Sequence, residues 1–280
     1  MKLLSKDFFT QAEQSLAVEP RAPQPVFPEH THDFDEIFIV TGGQGHHVIN
    51  GHPSTLYPGM VCYIQADDYH LFENIQGLTL TNILYRSARS FRYLSDIDIL
   101  LPNRQKEPLS HWFLNRNSFE EVEGILSKWD NLPEQAGVYE ESLFLQLLVA
   151  LQKGRYNEEG EGDNEQRVIQ TLRWLQQNYR ENVDWDALSE QFGLSPRTFH
   201  RYMKNQLNCT PQNYLIKLRL SQAYYQLRFT DKAIIDIAFD CGFNDSAYFS
   251  TRFKNEFSIT PREIRHCISQ KSEERSASLA

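Results

Sequence analysis

Cysteine is scarce in this chain. Its four cysteines, Cys62, Cys209, Cys241 and Cys267, show no paired spacing, so a disulfide-built scaffold is excluded and reduced thiols in a cytoplasmic protein are the expectation. Long apolar runs are missing too, which argues against a membrane-spanning helix. The start, MKLLSKDFF, has neither a long apolar core nor a small-residue cleavage site, so no signal peptide is expected. Net positive charge is also lacking: the chain carries 28 Lys+Arg against 37 Asp+Glu, a formal charge of −9. That balance argues at first against a nucleic-acid partner.

The charge is unevenly spread. Residues 1–164 hold 12 Lys+Arg and 24 Asp+Glu, whereas residues 165–268 hold 14 and 11. The acidic part would repel DNA and confine any such interface to the C-terminal part. At 280 residues the chain predicts two domains.

The basic part contains a repeat. LSEQFGLSPRTFHRYMKNQLNCTP, from Leu188 to Pro211, aligns with IAFDCGFNDSAYFSTRFKNEFSITP, from Ile237 to Pro261. Gly193 matches Gly242, Phe199 matches Phe249, Lys204–Asn205 matches Lys254–Asn255, and Thr210–Pro211 matches Thr260–Pro261. Each copy reads as a short helix, a glycine turn and a second helix, the pattern of a helix-turn-helix. The glycines allow the positive φ that ends a helix. Ser195 is placed to cap the following helix with Pro196 at its first position, and Asn244 or Asp245 offers the equivalent cap in the second copy. Phe199, Met203 and Leu207 are spaced by four and face a core, which leaves Arg197, His200, Arg201 and Lys204 outward. In the second copy Tyr248, Phe249, Phe253 and Phe257 are expected inward, with Ser246, Ala247, Ser250, Thr251 and Lys254 outward. A cationic exposed helix suits a major groove, where Arg pairs with guanine edges and Lys with phosphate. A joining helix, roughly Tyr214 to Arg228, would set the two outer helices about one DNA turn apart.

On these residues the stretch resembles the AraC/XylS family of bacterial transcription regulators, most specifically over DIAFDCGFNDSAYFSTRFKNEFSITPREIR, Asp236 to Arg265. The resemblance implies double-stranded DNA as partner. It places the base-reading positions on Arg197, His200 and Arg201 in the first motif and on Ser246, Ala247 and Thr251 in the second. The latter three are weak readers, so the second motif is expected to contribute shape and phosphate contact.

The N-terminal half reads differently. EIFIV, HHVIN, STLY, MVCYI, HLFEN and LTLTNILY are short β-rich runs punctuated by Gly42–Gly43, Asn50–Gly51 and Pro58–Gly59. Their spacing predicts a small antiparallel barrel or jelly roll. His30-x-His32-x3-Glu36-x6-Gly43 and Gly59-x10-His70-x3-Asn74 resemble the two cupin motifs, although Gln65 and Asp67 stand where cupins usually have Pro and Gly. The resemblance puts His30, His32, Glu36 and His70 at the four positions that hold metal in cupin enzymes. Three roles stay open for them: contacts to a small-molecule effector, a divalent metal such as Zn, Fe, Mn or Ni, or structure alone. Two helices follow. Ser118 is expected to cap the first, and the second, about Val138 to Lys153, carries Leu143, Leu147, Leu148 and Leu151 on one stripe for packing or for a homodimer contact.

The expected architecture is α+β with two domains. A cupin-like effector and dimerisation domain spans 1–154 and an acidic linker 155–165. An all-α DNA-binding domain spans 166–268, with helix-turn-helix motifs at about 185–207 and 234–257, and a tail spans 269–280. Across the chain, FPEHTHDFDEIFIV, LTNILYR, PLSHW and NVDWDALSEQFGLSPRTFHR are similar to the L-rhamnose operon activators of the AraC family. The likeness implies a cytoplasmic homodimer that binds L-rhamnose and activates transcription. Activation needs a polymerase contact, for which Asp236 and Asp245 are candidates against the primary sigma factor; the alternative for each is a helix cap. No catalytic constellation is evident. The rivals are a metal-dependent cupin enzyme fused to a DNA-binding domain, a regulator of another sugar pathway, or a repressor with the same domains.

Overall fold

A computed structural model describes residues 1–11, 14–87, 89–102, 111–129, 131–132, 137–156 and 164–266. Most of the expected linker, the expected tail and Cys267 lie outside the described residues. The chain divides into two compact units, one comprising Met1–Gly45 with Leu56–Gln170 and the other His46–Thr55 with Thr171–Ala280.

The strands are β1 (Lys2–Leu3), β2 (Leu16–Arg21), β3 (Phe27–His32), β4 (Asp35–Ile49), β5 (His52–Leu56), β6 (Met60–Ile64), β7 (His70–Tyr85) and β8 (His111–Phe113), all in the first unit except the end of β4 and most of β5, which fall in the second. They form one sheet in the order β1-β3-β7-β4-β6-β8, with β2 also on β7 and β5 also on β4. The predicted runs fall in β4 to β7, with EIFIV and HHVIN joined in β4 and HLFEN and LTLTNILY joined in β7, whereas β1, β2, β3 and β8 are not among them, and the expected barrel is not closed. The path ends at β1, two residues long, and β8, three residues long. Strands that short offer too few ladder hydrogen bonds to pair across the gap.

One face of the sheet is covered by helices α1 (Arg116–Trp129) and α2 (Gly137–Tyr156). Ile37, Ile39, Val61, Tyr63, Ile83 and Tyr85 meet Val122, Ile125, Phe144, Leu147, Leu148 and Leu151 there in one buried cluster. Each such side chain contributes roughly 1.5–3 kcal/mol on leaving water. The predicted leucine stripe of α2 is thus taken up by packing within the unit, and among the described residues of α2 the exposed large apolar ones are Val138, Tyr139, Leu145 and Val149. Ser118 does not cap α1. It is buried inside the helix, and its amide donates to Oδ1 of Asn115 at 2.8 Å. Buried Glu141 of α2 accepts the amides of Arg92, Tyr93 and Leu94 at 2.8, 2.7 and 3.0 Å, fixing the segment after β7.

The helical elements are α3 (Asn164–Gln177), α4 (Trp185–Gln191), α5 (Pro196–Gln206), α6 (Pro211–Phe229), α7 (Ile234–Asp240) and α8 (Ser246–Phe257). The caps follow the sequence. Asp184 accepts the amides of Asp186 and Ala187. Ser195, Thr210 and Asp245 each accept the amide three residues on. Pro196 and Pro211 open α5 and α6. Thr260 and Glu263 exchange hydrogen bonds as a capping box at 261–266. Gly193 and Gly242 have φ of +64° and +86°, the left-handed conformation the turn requires. Arg219 of α6 is buried, and donates to the carbonyls of Tyr179 and Glu181, both at 2.7 Å. It satisfies the chain between α3 and α4. Among the described residues, no helix is long and apolar enough to cross a membrane.

Candidate functional site

The four cupin positions are buried: His30, His32, Glu36 and His70 are all 5% exposed or less. His30 and His70 are direct partners across β3 and β7, with ring centroids 4.1 Å apart. His32 Nε2 lies 3.5 Å from Glu36 Oε2, and His70 Nε2 lies 3.8 Å from the same oxygen. Alternation places the group. Ile37 and Ile39 point into the helix-covered core, so Glu36 lies on the other face of the sheet.

Local contacts set the tautomers. His30 Nδ1 donates to the carbonyl of Pro28 at 3.0 Å, and His32 Nδ1 donates to that of Phe34, which leaves the His32 Nε2 as a lone pair in the neutral ring. The Phe34 ring stacks on His32 at 4.5 Å. Burial holds the His30 and His32 imidazoles below their ordinary range. Burial also pushes the Glu36 carboxyl up to about 8, with the charge of Glu19 adding to the rise and that of Arg21 opposing it. At neutral pH the cluster therefore holds a protonated acid beside the uncharged imidazoles of His30 and His32, a surface of hydrogen-bond donors and acceptors. His32, Glu36 and His70 each offer one ligand atom, all within 4.8 Å of one another. His30 is not part of that trio.

In the helical unit Phe199, Met203, Phe249, Phe253 and Phe257 are buried as their spacing predicts. Arg197, His200, Arg201 and Lys204 are exposed along α5. On α8, Ala247, Thr251 and Lys254 are exposed, whereas Ser246 and Ser250 are half-buried. The Ser250 and Thr251 hydroxyls donate back to the carbonyls of Ser246 and Ala247 at 2.9 and 3.0 Å. They are spent on their own helix. Tyr248 departs from expectation: it is 48% exposed rather than inward. It sits one position before Phe249, and that step of about 100° carries it off the buried stripe.

The two candidate carboxylates separate. Asp245 caps α8 through the Tyr248 amide. Asp236 is exposed in the first turn of α7, whose N-cap is Ala233 with no side-chain hydrogen bond.

Comparison with known proteins bears on both units. Residues 14–148 match the model of an AraC-like ligand binding domain, and residues 188–266 match that of a helix-turn-helix domain. The HTH-type transcriptional activator RhaS of Mannheimia succiniciproducens is 52% identical over 264 residues, 94% of this chain and 98% of that protein. The activators of the same name from Citrobacter koseri and Yersinia pestis are 44% and 45% identical, each over 94% of this chain and at least 96% of theirs. The chain belongs to the AraC family. As an AraC-family protein it is a transcription regulator with a helix-turn-helix domain and not an enzyme, which sets aside the metalloenzyme rival. The family match also accounts for an acidic chain that binds DNA, because the helix-turn-helix part, with 14 Lys+Arg against 11 Asp+Glu in residues 165–268, is net positive.

Sequence reasoning missed Glu141 and Arg219. Both are charged residues that share a helix face with apolar ones, Glu141 with Phe144 and Leu148, Arg219 with Leu215, Ile216 and Ala223, and that placement was the available signal, since a buried charge needs partners.

Proposed function

We propose that this protein is a sugar-switched DNA-binding transcription activator, with L-rhamnose as its effector. One observation carries the reading: whole-length similarity to activators that share both the ligand-binding and the helix-turn-helix halves. L-rhamnose itself comes from the resemblance of the whole chain to the L-rhamnose operon activators. The buried cluster of His30, His32, Glu36 and His70, in which burial favours the uncharged forms of His30, His32 and Glu36, suits a neutral ligand. In this reading α4–α5 and α7–α8 are two helix-turn-helix motifs, the domains run 1–154 and 166–268 with a linker between, and the open, cupin-like sheet holds the effector. Arg197, His200 and Arg201 read bases and Lys204 and Lys254 hold phosphate. Ser246, Ala247, Ser250 and Thr251 add shape. Two copies of the chain associate through the exposed side of α2, where Leu145 and Val149 are spaced by four, and Asp236 meets the primary sigma factor. The protein works in the cytoplasm.

Sugar changes the population of the DNA-competent state to the extent that it binds that state more tightly. The test pairs calorimetry of L-rhamnose binding to the full chain with a reporter assay. Binding together with sugar-dependent activation supports the reading. Rhamnose silence with binding of another sugar moves it to another pathway, and sugar-dependent loss of transcription makes the protein a repressor.

A second reading of the same residues is a divalent metal held by His32, Glu36 and His70, favoured by their three convergent ligand atoms. Two nitrogens and a carboxylate suit zinc or another first-row metal, which would orient ligand hydroxyls. Elemental analysis of purified protein, before and after chelation, decides it.

A further inference from the structure

The sheet carries polar groups beyond the four cupin positions. β2 pairs antiparallel with β7, in a register that sets Glu19 opposite Asn82 and Arg21 opposite Leu80. The intervening pairs, Leu16 with Tyr85 and Val18 with Ile83, turn toward the helix-covered core. Alternation by two therefore turns Glu19, Arg21 and Asn82 to the opposite face, the face that also carries Glu36.

Two further observations connect them to a ligand. Oδ1 of Asn82 is buried and has no hydrogen-bond partner. A buried amide oxygen left unmatched is costly and uncommon in a native protein, unless something absent from the protein chain completes it. Beside it, Arg21 and Glu19 form a hydrogen-bonded ion pair with side chains 41% and 28% exposed, so the pair is held in place and still reachable. Glu19 and Arg21 are also the two charged groups whose fields act on Glu36, which ties the two ends of this face together.

We propose that Asn82, Glu19 and Arg21 form a second half of the effector site, which grips a neutral polyhydroxylated ligand through its hydroxyls. The inference rests on the sugar-effector reading and assigns residues to it. Asn82 Oδ1 accepts from a hydroxyl and its amide donates to another. Arg21 donates with N–H groups not used by Glu19, and Glu19 accepts with its remaining lone pairs. Because Arg21 and Glu19 cancel in charge, this half has no preference for an anion such as a sugar acid or sugar phosphate. Selectivity comes from matching hydroxyls, because a site built to hydrogen-bond rejects analogues that lack the group.

The test titrates L-rhamnose into the full-length chain by calorimetry and follows thermal unfolding in the same samples. Asn82→Leu keeps the shape and removes the unmatched oxygen. The expected result is a melting temperature equal to or above that of the wild type, with affinity reduced at least tenfold. Arg21→Met is expected to weaken binding similarly. Val18→Ala, on the helix-covered face, is expected to leave affinity unchanged. Should Asn82→Leu fail to fold, Asn82→Ser and Arg21→Met carry the same comparison. Wild-type affinity in the Asn82 and Arg21 variants overturns this inference and leaves the sugar reading standing. A wild-type protein that binds no sugar of a panel overturns the sugar reading, and this assignment with it.

Discussion

Asp245 and Asp236 open the two helices of one repeat, yet only Asp245 is tied down, by the amide of Tyr248. Their substitutions should diverge. Asp245→Ala removes a cap and should cost about 1 kcal/mol of stability, with activation and DNA affinity falling together as the unit loosens. Asp236→Lys removes no cap. It should leave stability and operator affinity near wild type while activation in a reporter strain falls sharply, as expected of a carboxylate that pairs with a basic partner surface. Equal loss of affinity and activation in Asp236→Lys would remove the polymerase contact from consideration.

Arg201 is exposed on α5, on the same outward face as Arg197 and Lys204. If it reads a base edge, Arg201→Ala should cost about 1–3 kcal/mol of operator binding and relax preference at one base position. Lys204→Ala should instead weaken all duplexes alike and lower the salt slope by about one. Fluorescence anisotropy on specific and scrambled duplexes across salt separates the two. Substitutions of Ser250 should matter little, because its hydroxyl is already committed to the Ser246 carbonyl.

These residues mark what the sequence made legible. The helix-turn-helix half was readable because its determinants are local. Ser195 and Pro196 fix the start of α5 within three residues, Gly193 fixes the turn, and Phe199 and Met203 fix the buried face. Where local rules allow two solutions, reading failed: Asn115 and Ser118 are both competent caps three residues apart, and the structure uses Asn115. The sheet was readable as strands but not as a closed or open surface, because closure depends on pairing between strands far apart in sequence. His30, His32, Glu36 and His70 were found through motif spacing. Asn82 was not, since its significance arises only from its register with Glu19 and its unmatched oxygen.

The Glu36 carboxyl gives a pH prediction. In the folded chain burial holds its pKa at about 8, against an ordinary 4.5. The folded state thus keeps a proton that the unfolded state releases. The unfolded state binds fewer protons across that interval, so the contribution of Glu36 to stability is full below about pH 4.5 and declines as pH rises to about 8. The slope is at most about 1.4 kcal/mol per pH unit. His32 acts in the opposite sense, because burial lowers its pKa below 6.5 and its contribution is lost as pH falls. Denaturant unfolding of the sugar-free wild type and of Glu36→Gln should show the variant gaining relative stability from pH 5 to 8 and no further above that. A pH-independent difference would mean that Glu36 is ionised in the folded protein.

Two glycines separate backbone strain from steric clash. Gly77 has φ of +60°, and a Cβ there would meet nothing within 4 Å. Gly242 has φ of +86°, and its Cβ would come within 2.7 Å of the Arg180 carbonyl oxygen. Gly77→Ala should therefore cost only the left-handed penalty, about 1–2 kcal/mol. Gly242→Ala should cost that and more, because the Arg180 backbone is positioned between the Tyr179 and Glu181 carbonyls that Arg219 holds. The loss should also appear in function, as weaker DNA binding with sugar affinity intact, since Gly242 joins α7 to α8. Thermal unfolding with anisotropy and calorimetry on each variant checks the order. Equal destabilisation by the two substitutions would show that the Arg180 carbonyl yields freely and that Arg219 does not fix it.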